Sequence, residues 1–186
     1  MPEDLDIEQP GALQRWLRDT GHIAMDEEVD VNPLTGGVSN RTVLVTRPSG
    51  EAWVVKQALA KLRVAVDWFS DPSRVHREAE GLRWLERLVP ARVPAVVFED
   101  FEHHLLGMSA VAQPHENWKT MLLAGHLIPS HVTQFAKLLV DIHRGAREHI
   151  DRVARAFDDR SFFESLRLEP YYAYAAEQVS DVTHAQ

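Results

Sequence analysis

Three groups of residues could do chemistry together. Gly36 and Gly37 are adjacent and lead into Val38, Ser39 and Asn40. A glycine pair lets the backbone approach a ligand closely and aim N–H groups at it, and such a donor row suits phosphate oxygens. Taken alone, the pair is explained more simply as a hairpin turn with a positive φ. Lys56 sits in Trp53-Val54-Val55-Lys56-Gln57-Ala58, a run apolar on both faces. Lysine is rarely fully buried without a partner, so this one either reaches solvent from an edge strand or stands over a bound phosphate. Glu78, Leu82, Leu85 and Val89 are spaced to share one helix face. The three apolar members should face the core, which predicts Glu78 on the buried side, where an unpaired ion costs several kcal/mol. Glu80 is expected to share a solvated face with Arg83, Trp84 and Arg87. Lys56 thus needs an anion and Glu78 a cation, and their pairing is favoured over a helix-surface pair of Glu78 with Arg74.

The elements that must position these groups follow from the local patterns. The first nine residues are polar and are expected to fray. Pro10 to Arg18 predicts a short helix, with Leu13, Trp16 and Leu17 on one face. Val29 to Val31, Thr42 to Thr46 and Ala52 to Ala58 read as strands, and Arg47-Pro48-Ser49-Gly50 as a turn. Residues 29–58 are therefore expected to form an antiparallel meander. A helix is predicted from Asp71 to Leu88, with Pro72 in its first turn and Pro90 beyond its end. Val93 to Phe101 and His104 to Val111 predict two more strands. After Pro114 the pattern is helical over 116–124, 130–146 and 147–157, followed by an aromatic tail with Phe162, Phe163, Tyr171, Tyr172 and Tyr174. A sheet with one helix followed by helices alone is an α+β layout in two parts. The expected division is an N-terminal extension at 1–28, a sheet-bearing part at 29–111 and a helical part at 112–186.

Composition narrows the class. The chain has 186 residues, 45% apolar and 26% charged, with a net charge of −8. That balance is globular, and the acidic charge argues against nucleic acid as a partner. There is no cysteine, hence no disulfide framework and no thiolate site. The start, Met1-Pro2-Glu3-Asp4, has no apolar core of a secretory signal. No apolar run approaches the roughly 18 residues of a membrane span, and a cytoplasmic location is expected. The scattered histidines offer no metal site of protein ligands alone.

A glycine turn, a strand lysine, a helix glutamate, two further strands and a switch to helices follow the order of a protein-kinase-like N-lobe. The wording of Leu34-Thr35-Gly36-Gly37-Val38-Ser39-Asn40, of Val54-Val55-Lys56, of His76-Arg77-Glu78-Ala79-Glu80-Gly81-Leu82-Arg83-Trp84-Leu85, of Leu105 to Val111 and of Gln134 to Ala146 resembles the aminoglycoside phosphotransferase, choline kinase and methylthioribose kinase group. The resemblance implies an ATP-binding fold. Residues 36–40 would cover the phosphates. Lys56 would contact the α- and β-phosphates, oriented by Glu78. Backbone groups of Ser109 and Val111 would bond the adenine edge, and Val38 and Val54 would roof the ring.

The same group needs a His-Gly-Asp-x-x-x-x-Asn loop, whose Asp takes the substrate hydroxyl proton and whose Asn holds Mg²⁺. The asparagines here are Asn32, Asn40 and Asn117, and no later Asp follows a glycine. His143-Arg144-Gly145 lies in the apolar stripe of the 130–146 helix and reads as core and helix end. The expectation is an N-lobe with a partial C-lobe, stopping before the catalytic loop: it names no catalytic residue, expects Mg²⁺ only with the rest of the C-lobe, and predicts no transfer by the chain alone. A nucleotide would bind, and a small hydroxyl-bearing molecule would be the substrate of longer relatives. The apolar helix face and tail would meet a complementary C-lobe polypeptide or a second copy. The alternative is a non-catalytic nucleotide-binding or protein-interaction module.

Overall fold

The structure, a computed structural model, describes residues 5–183; the acidic stretch Met1–Asp4 and residues 184–186 lie outside it. Five antiparallel strands form the sheet: β1 (Asp30–Pro33), β2 (Asn40–Thr46), β3 (Ala52–Ala58), β4 (Val96–Asp100) and β5 (Leu105–Ser109), in the spatial order β1-β2-β3-β5-β4. Residues 29–58 do form the expected meander, with Val43 opposite Val55 and Thr42 opposite Lys56. β5 then pairs with β3, placing Val54 opposite Met108 and Lys56 opposite Leu106. The two strands predicted at 93–111 are shorter than the apolar runs suggested, since Val93–Ala95 and Ala110–Val111 continue as loop.

Strand parity splits β3 between two cores. Trp53 and Val55 join Val43, Val45, Phe98 and Leu105 on one face. Helix α1 (Ala12–Asp19) covers that face through Leu13 and Leu17, with Trp16 packed beside them. Ala58 and Val54 belong to the other face, where helix α2 (Arg74–Leu88) lays Val75 and Ala79 on Leu106 and Met108.

The first nine residues do not fray throughout. Ile7 is fully buried in the α1-side core. The Gln57 side chain accepts the Ile7 N–H at 3.3 Å and donates to the Leu5 carbonyl at 2.5 Å. One apolar plug and one buried amide outweigh the polar composition around them. Helix α2 starts at Arg74 rather than Asp71, because the Asp71 carboxylate caps the Ser73 N–H at 2.8 Å in a preceding turn that also contains Pro72.

Two further corrections concern α2 and the helices after it. Trp84 is buried, not solvated: it packs near His149, with the Arg87 guanidinium 5.3 Å from its ring centre. The helix has a second buried side because α4 (Pro129–Glu148) crosses it, close enough at Gly145 that a Cβ there would press on Leu88 at 2.9 Å. His143 is exposed on α4 and is not part of a core. Helices α3 (Trp118–Leu123) and α5 (Ile150–Phe157) flank α4. The tail runs through α6 (Ser161–Phe163), a π-helical stretch Glu164–Ala173 and α7 (Tyr174–Thr183). Val132, Phe135, Leu139 and Val140 of α4 are exposed, as are Phe163, Tyr171, Tyr172 and Tyr174. Among the described residues no helix is long and apolar enough to cross a membrane.

Phe98 is the keystone of the α1-side core. Its ring stacks on His22 at 4.5 Å and meets Trp16 at 5.5 Å and Trp53 at 6.0 Å. It lies directly over Gly107, where a Cβ would collide with the ring. Gly107→Ala should therefore cost about 1–3 kcal/mol as overpacking, read as a lower urea midpoint at unchanged slope. Burial lowers the His22 pKa below its ordinary 6.5, against a smaller opposing pull from Asp100. The folded state then binds fewer protons than the unfolded one just below 6.5, so stability falls as pH drops through that window. Melting temperature should decline on acidification from neutrality, and His22→Gln should flatten that decline; an unchanged profile in the variant would remove His22 from the account.

Candidate functional site

The site grows from β3 and the turn beside it. Lys56 shares its strand face with Val54 and Ala58 and so points towards α2. Glu78 meets it, with Nζ and Oε1 2.5 Å apart. The pair predicted from the two unmet charges is present, but the predicted burial of Glu78 is not. Its side chain is 38% exposed and that of Lys56 25%, because Ala79 and Val75, not Glu78, take the positions against the sheet. Arg74 does not compete for Glu78; its guanidinium is occupied by backbone carbonyls.

The rotation of α2 that delivers Glu78 is fixed from β4. Glu99, with a side chain 6% exposed, receives Arg83 at 2.5 Å and His76 at 2.6 Å, both from α2. His76 also lies flat on Phe101 at 4.0 Å and contacts His104 through ring nitrogens 3.3 Å apart. Arg83, expected on a solvated face, thus pins the helix to the sheet.

The glycine turn joins β1 to β2 and is held at its ends. The Leu34 N–H donates to Thr42, the Val38 carbonyl accepts from Arg63 at 2.8 Å, and the Ser39 carbonyl accepts from Leu59 at 3.0 Å and from Arg74. Among the described residues the backbone of Thr35, Gly36 and Gly37 makes no hydrogen bond, and neither do the Ser39 hydroxyl and the Asn40 side chain. Gly36 has φ +104°, a conformation that glycine adopts without strain. The turn is therefore a fixed loop whose free N–H groups sit at its tip, the arrangement that favours an anion.

An open cavity of about 440 Å³ lies between this turn and the tail. Val38, Ser39, Asn40 and Glu78 line one side, and Phe162 and Arg167 are on the other. The tail wall is tied to α2 by Arg77, which donates to the Ala156 carbonyl at 2.8 Å and to Asp159 at 2.7 Å. The Ser161 backbone N–H, then its hydroxyl and Arg77, hold the Asp159 carboxyl down to about 2. Helix spacing offers Arg74 only as a surface partner for Glu78, not as a residue lining a cavity, and no pattern points to Arg167.

Ser109 and Val111 do not line this cavity. They border a smaller cleft of about 260 Å³ with Arg92 and Pro94. The Ser109 N–H donates to Ala95, and its hydroxyl accepts the Ala95 N–H, each at 2.9 Å. That pairing leaves the Ser109 carbonyl out. The Val111 backbone makes no hydrogen bond among the described residues. Val54 and Met108, paired across β3 and β5, are on the Lys56 face between the two regions.

A sequence model of the phosphotransferase enzyme family matches residues 30–185. The chain belongs to the phosphotransferase enzyme family. The match begins at β1 and so takes in the glycine turn, Lys56, Glu78 and the helices that follow. No curated protein matches the chain. The α+β layout with an antiparallel sheet agrees with the protein-kinase-like N-lobe that the resemblance implied. Among the described residues no group of three or more His, Asp or Glu could hold a metal ion.

The exposure of the Lys56–Glu78 pair sets its energetic role. Half-exposed ion pairs contribute about 0–1 kcal/mol. Glu78→Gln should lower the melting temperature by no more than about 4 °C, close to the effect of Glu80→Gln rather than far beyond it. A collapse of the fold in Glu78→Gln alone would mean that the pair carries structural weight its exposure does not suggest.

Proposed function

We propose that this chain supplies the ATP-binding part of a small-molecule phosphotransferase. The observation that carries the reading is the Lys56–Glu78 ion pair on the inner face of β3, next to a glycine turn whose tip N–H groups are free. In this reading Gly36, Gly37, Val38, Ser39 and Asn40 enclose the phosphates. Lys56 donates to the α- and β-phosphate oxygens, and Glu78 holds its ammonium in place. The Ser109 carbonyl and the Val111 N–H receive the adenine edge, with Val38 and Val54 over the ring. ATP, when bound, supplies the phosphoryl group for a hydroxyl-bearing acceptor.

Transfer needs more than binding. A carboxylate must align the acceptor hydroxyl, and Mg²⁺ must neutralise charge on the γ-phosphoryl group. Residues 1–186 contain no His-Gly-Asp-x-x-x-x-Asn sequence, and in this reading a separate C-lobe polypeptide supplies these roles. A C-lobe polypeptide carrying that sequence is the proposed partner for the exposed apolar side of α4 and the tail aromatics; self-association through the same surface is the competing outcome. A second reading, a nucleotide-binding or interaction module without catalysis, rests on the same missing Asp and Asn.

Calorimetric titration with ATP should show weak binding to the parent chain. Lys56→Ala should weaken it about tenfold or more, since a charge-assisted hydrogen bond contributes about 1.5–3 kcal/mol. Equal affinity in parent and variant would sink the phosphate role of Lys56. The 186-residue chain should transfer no phosphoryl group to an aminoglycoside, choline or methylthioribose. Gain of transfer on co-expression with a C-lobe polypeptide separates the first reading from the second.

A further inference from the structure

Arg74 is a buried cation, with relative exposure of 9%. Its guanidinium donates to the carbonyls of Ser70 and Asp71, each at 3.1 Å, of Leu59 at 2.8 Å, and of Ser39. These carbonyls belong to three separate places: the turn before α2, the end of β3, and the glycine turn. Among the described residues no carboxylate lies within ion-pair distance of it; the Asp71 carboxylate acts on it only through space. Neutral carbonyls satisfy the Arg74 donors without cancelling its charge, and although burial lowers its pKa an arginine stays protonated. It also lines the 440 Å³ cavity under the glycine turn. The other ions there are Glu78, neutralised by Lys56, and Arg167. The cavity therefore carries excess positive charge, beside residues 38–40 that follow the glycine pair.

We propose that Arg74 is a positioning residue for polyphosphate binding, locking the Ser39 end of the glycine turn and placing a fixed positive charge beneath it. This rests on the nucleotide reading above. The planar guanidinium reaches four carbonyls from one rigid group, whereas a lysine ammonium has three donors on a single atom. Arg74→Lys thus keeps the charge and loses part of the clamp. Asp71→Asn does the converse: it keeps an oxygen acceptor for the Ser73 N–H and removes the carboxylate charge that acts on Arg74 through space.

The test is titration of ATP and of adenosine into the 186-residue chain and both variants, with hydrogen exchange followed at the Leu59 amide, which donates to the Ser39 carbonyl. Arg74→Lys should lose about tenfold in ATP affinity, leave adenosine affinity unchanged and speed exchange at Leu59. Asp71→Asn should tighten ATP about two- to threefold and leave adenosine unchanged. ATP affinity unaltered in both variants would overturn the proposal, as would equal losses for ATP and adenosine. Should Arg74→Lys fail to fold, Asp71→Asn decides alone. A parent chain that binds neither ligand overturns the nucleotide reading and this proposal with it, whereas ATP binding insensitive to both substitutions overturns only the role of Arg74.

Discussion

An ammonium on the inner face of a core strand has to find an anion, and that requirement organises the sheet and its helix. Lys56 shares a face with Val54 and Ala58 and alternates with Val55 and Gln57, so only a one-residue slip of register would turn it to the other face. Its anion must come from α2. Helical geometry makes the match exacting: a shift of one residue would swing Glu78 about 100° around the axis. The shift is prevented by Val75 and Ala79 against Leu106 and Met108, and by Glu99 gripping His76 and Arg83. The Lys56–Glu78 pair is thus a consequence of packing made elsewhere. Its partial exposure fits that order of causes, since a pair that adds little stability can be spent on orienting a charge.

The glycine turn follows the same logic of fixed ends and a free middle. Backbone bonds at Leu34, Val38 and Ser39 set where the loop enters and leaves, while Thr35 to Gly37 keep their donors unspent. A loop anchored in this way loses little freedom on meeting an anion, which is how preorganisation converts contacts into affinity. Tightening the anchors falls to a guanidinium rather than to apolar packing, because the turn itself buries almost nothing.

Much of this is legible in the sequence. The limits of β3, the meander, and the pairing of Lys56 with Glu78 follow from alternation, turn residues and two charges in need of partners. The pairing arises for a partly different reason than the helix stripe implies. A four-residue stripe assigned Glu78 to the core, whereas the helix is rotated so that Ala79 occupies it. Trp84 was placed in water because a one-sided helix has only two faces to offer; α2 is covered by the sheet on one side and by α4 on another. Ile7 escaped notice as one apolar residue in a polar stretch. Helix spacing offers Arg74 only as a surface partner for Glu78; its actual partners are backbone carbonyls, which every residue carries, so no side-chain pattern announces them.

Helix α2 emerges as the element through which both sides of the cavity are set. Its inner edge presents Glu78 to Lys56, its first residue Arg74 holds the glycine turn, and its outer edge reaches the tail through Arg77. These contacts fall at residues 74, 77 and 78, within about one turn and a half of helix. A small rotation or translation of that segment would move the lysine's counter-ion, the turn and the tail wall together. The three contacts are thus held in one geometry by a single rigid helix rather than by a chain of side chains.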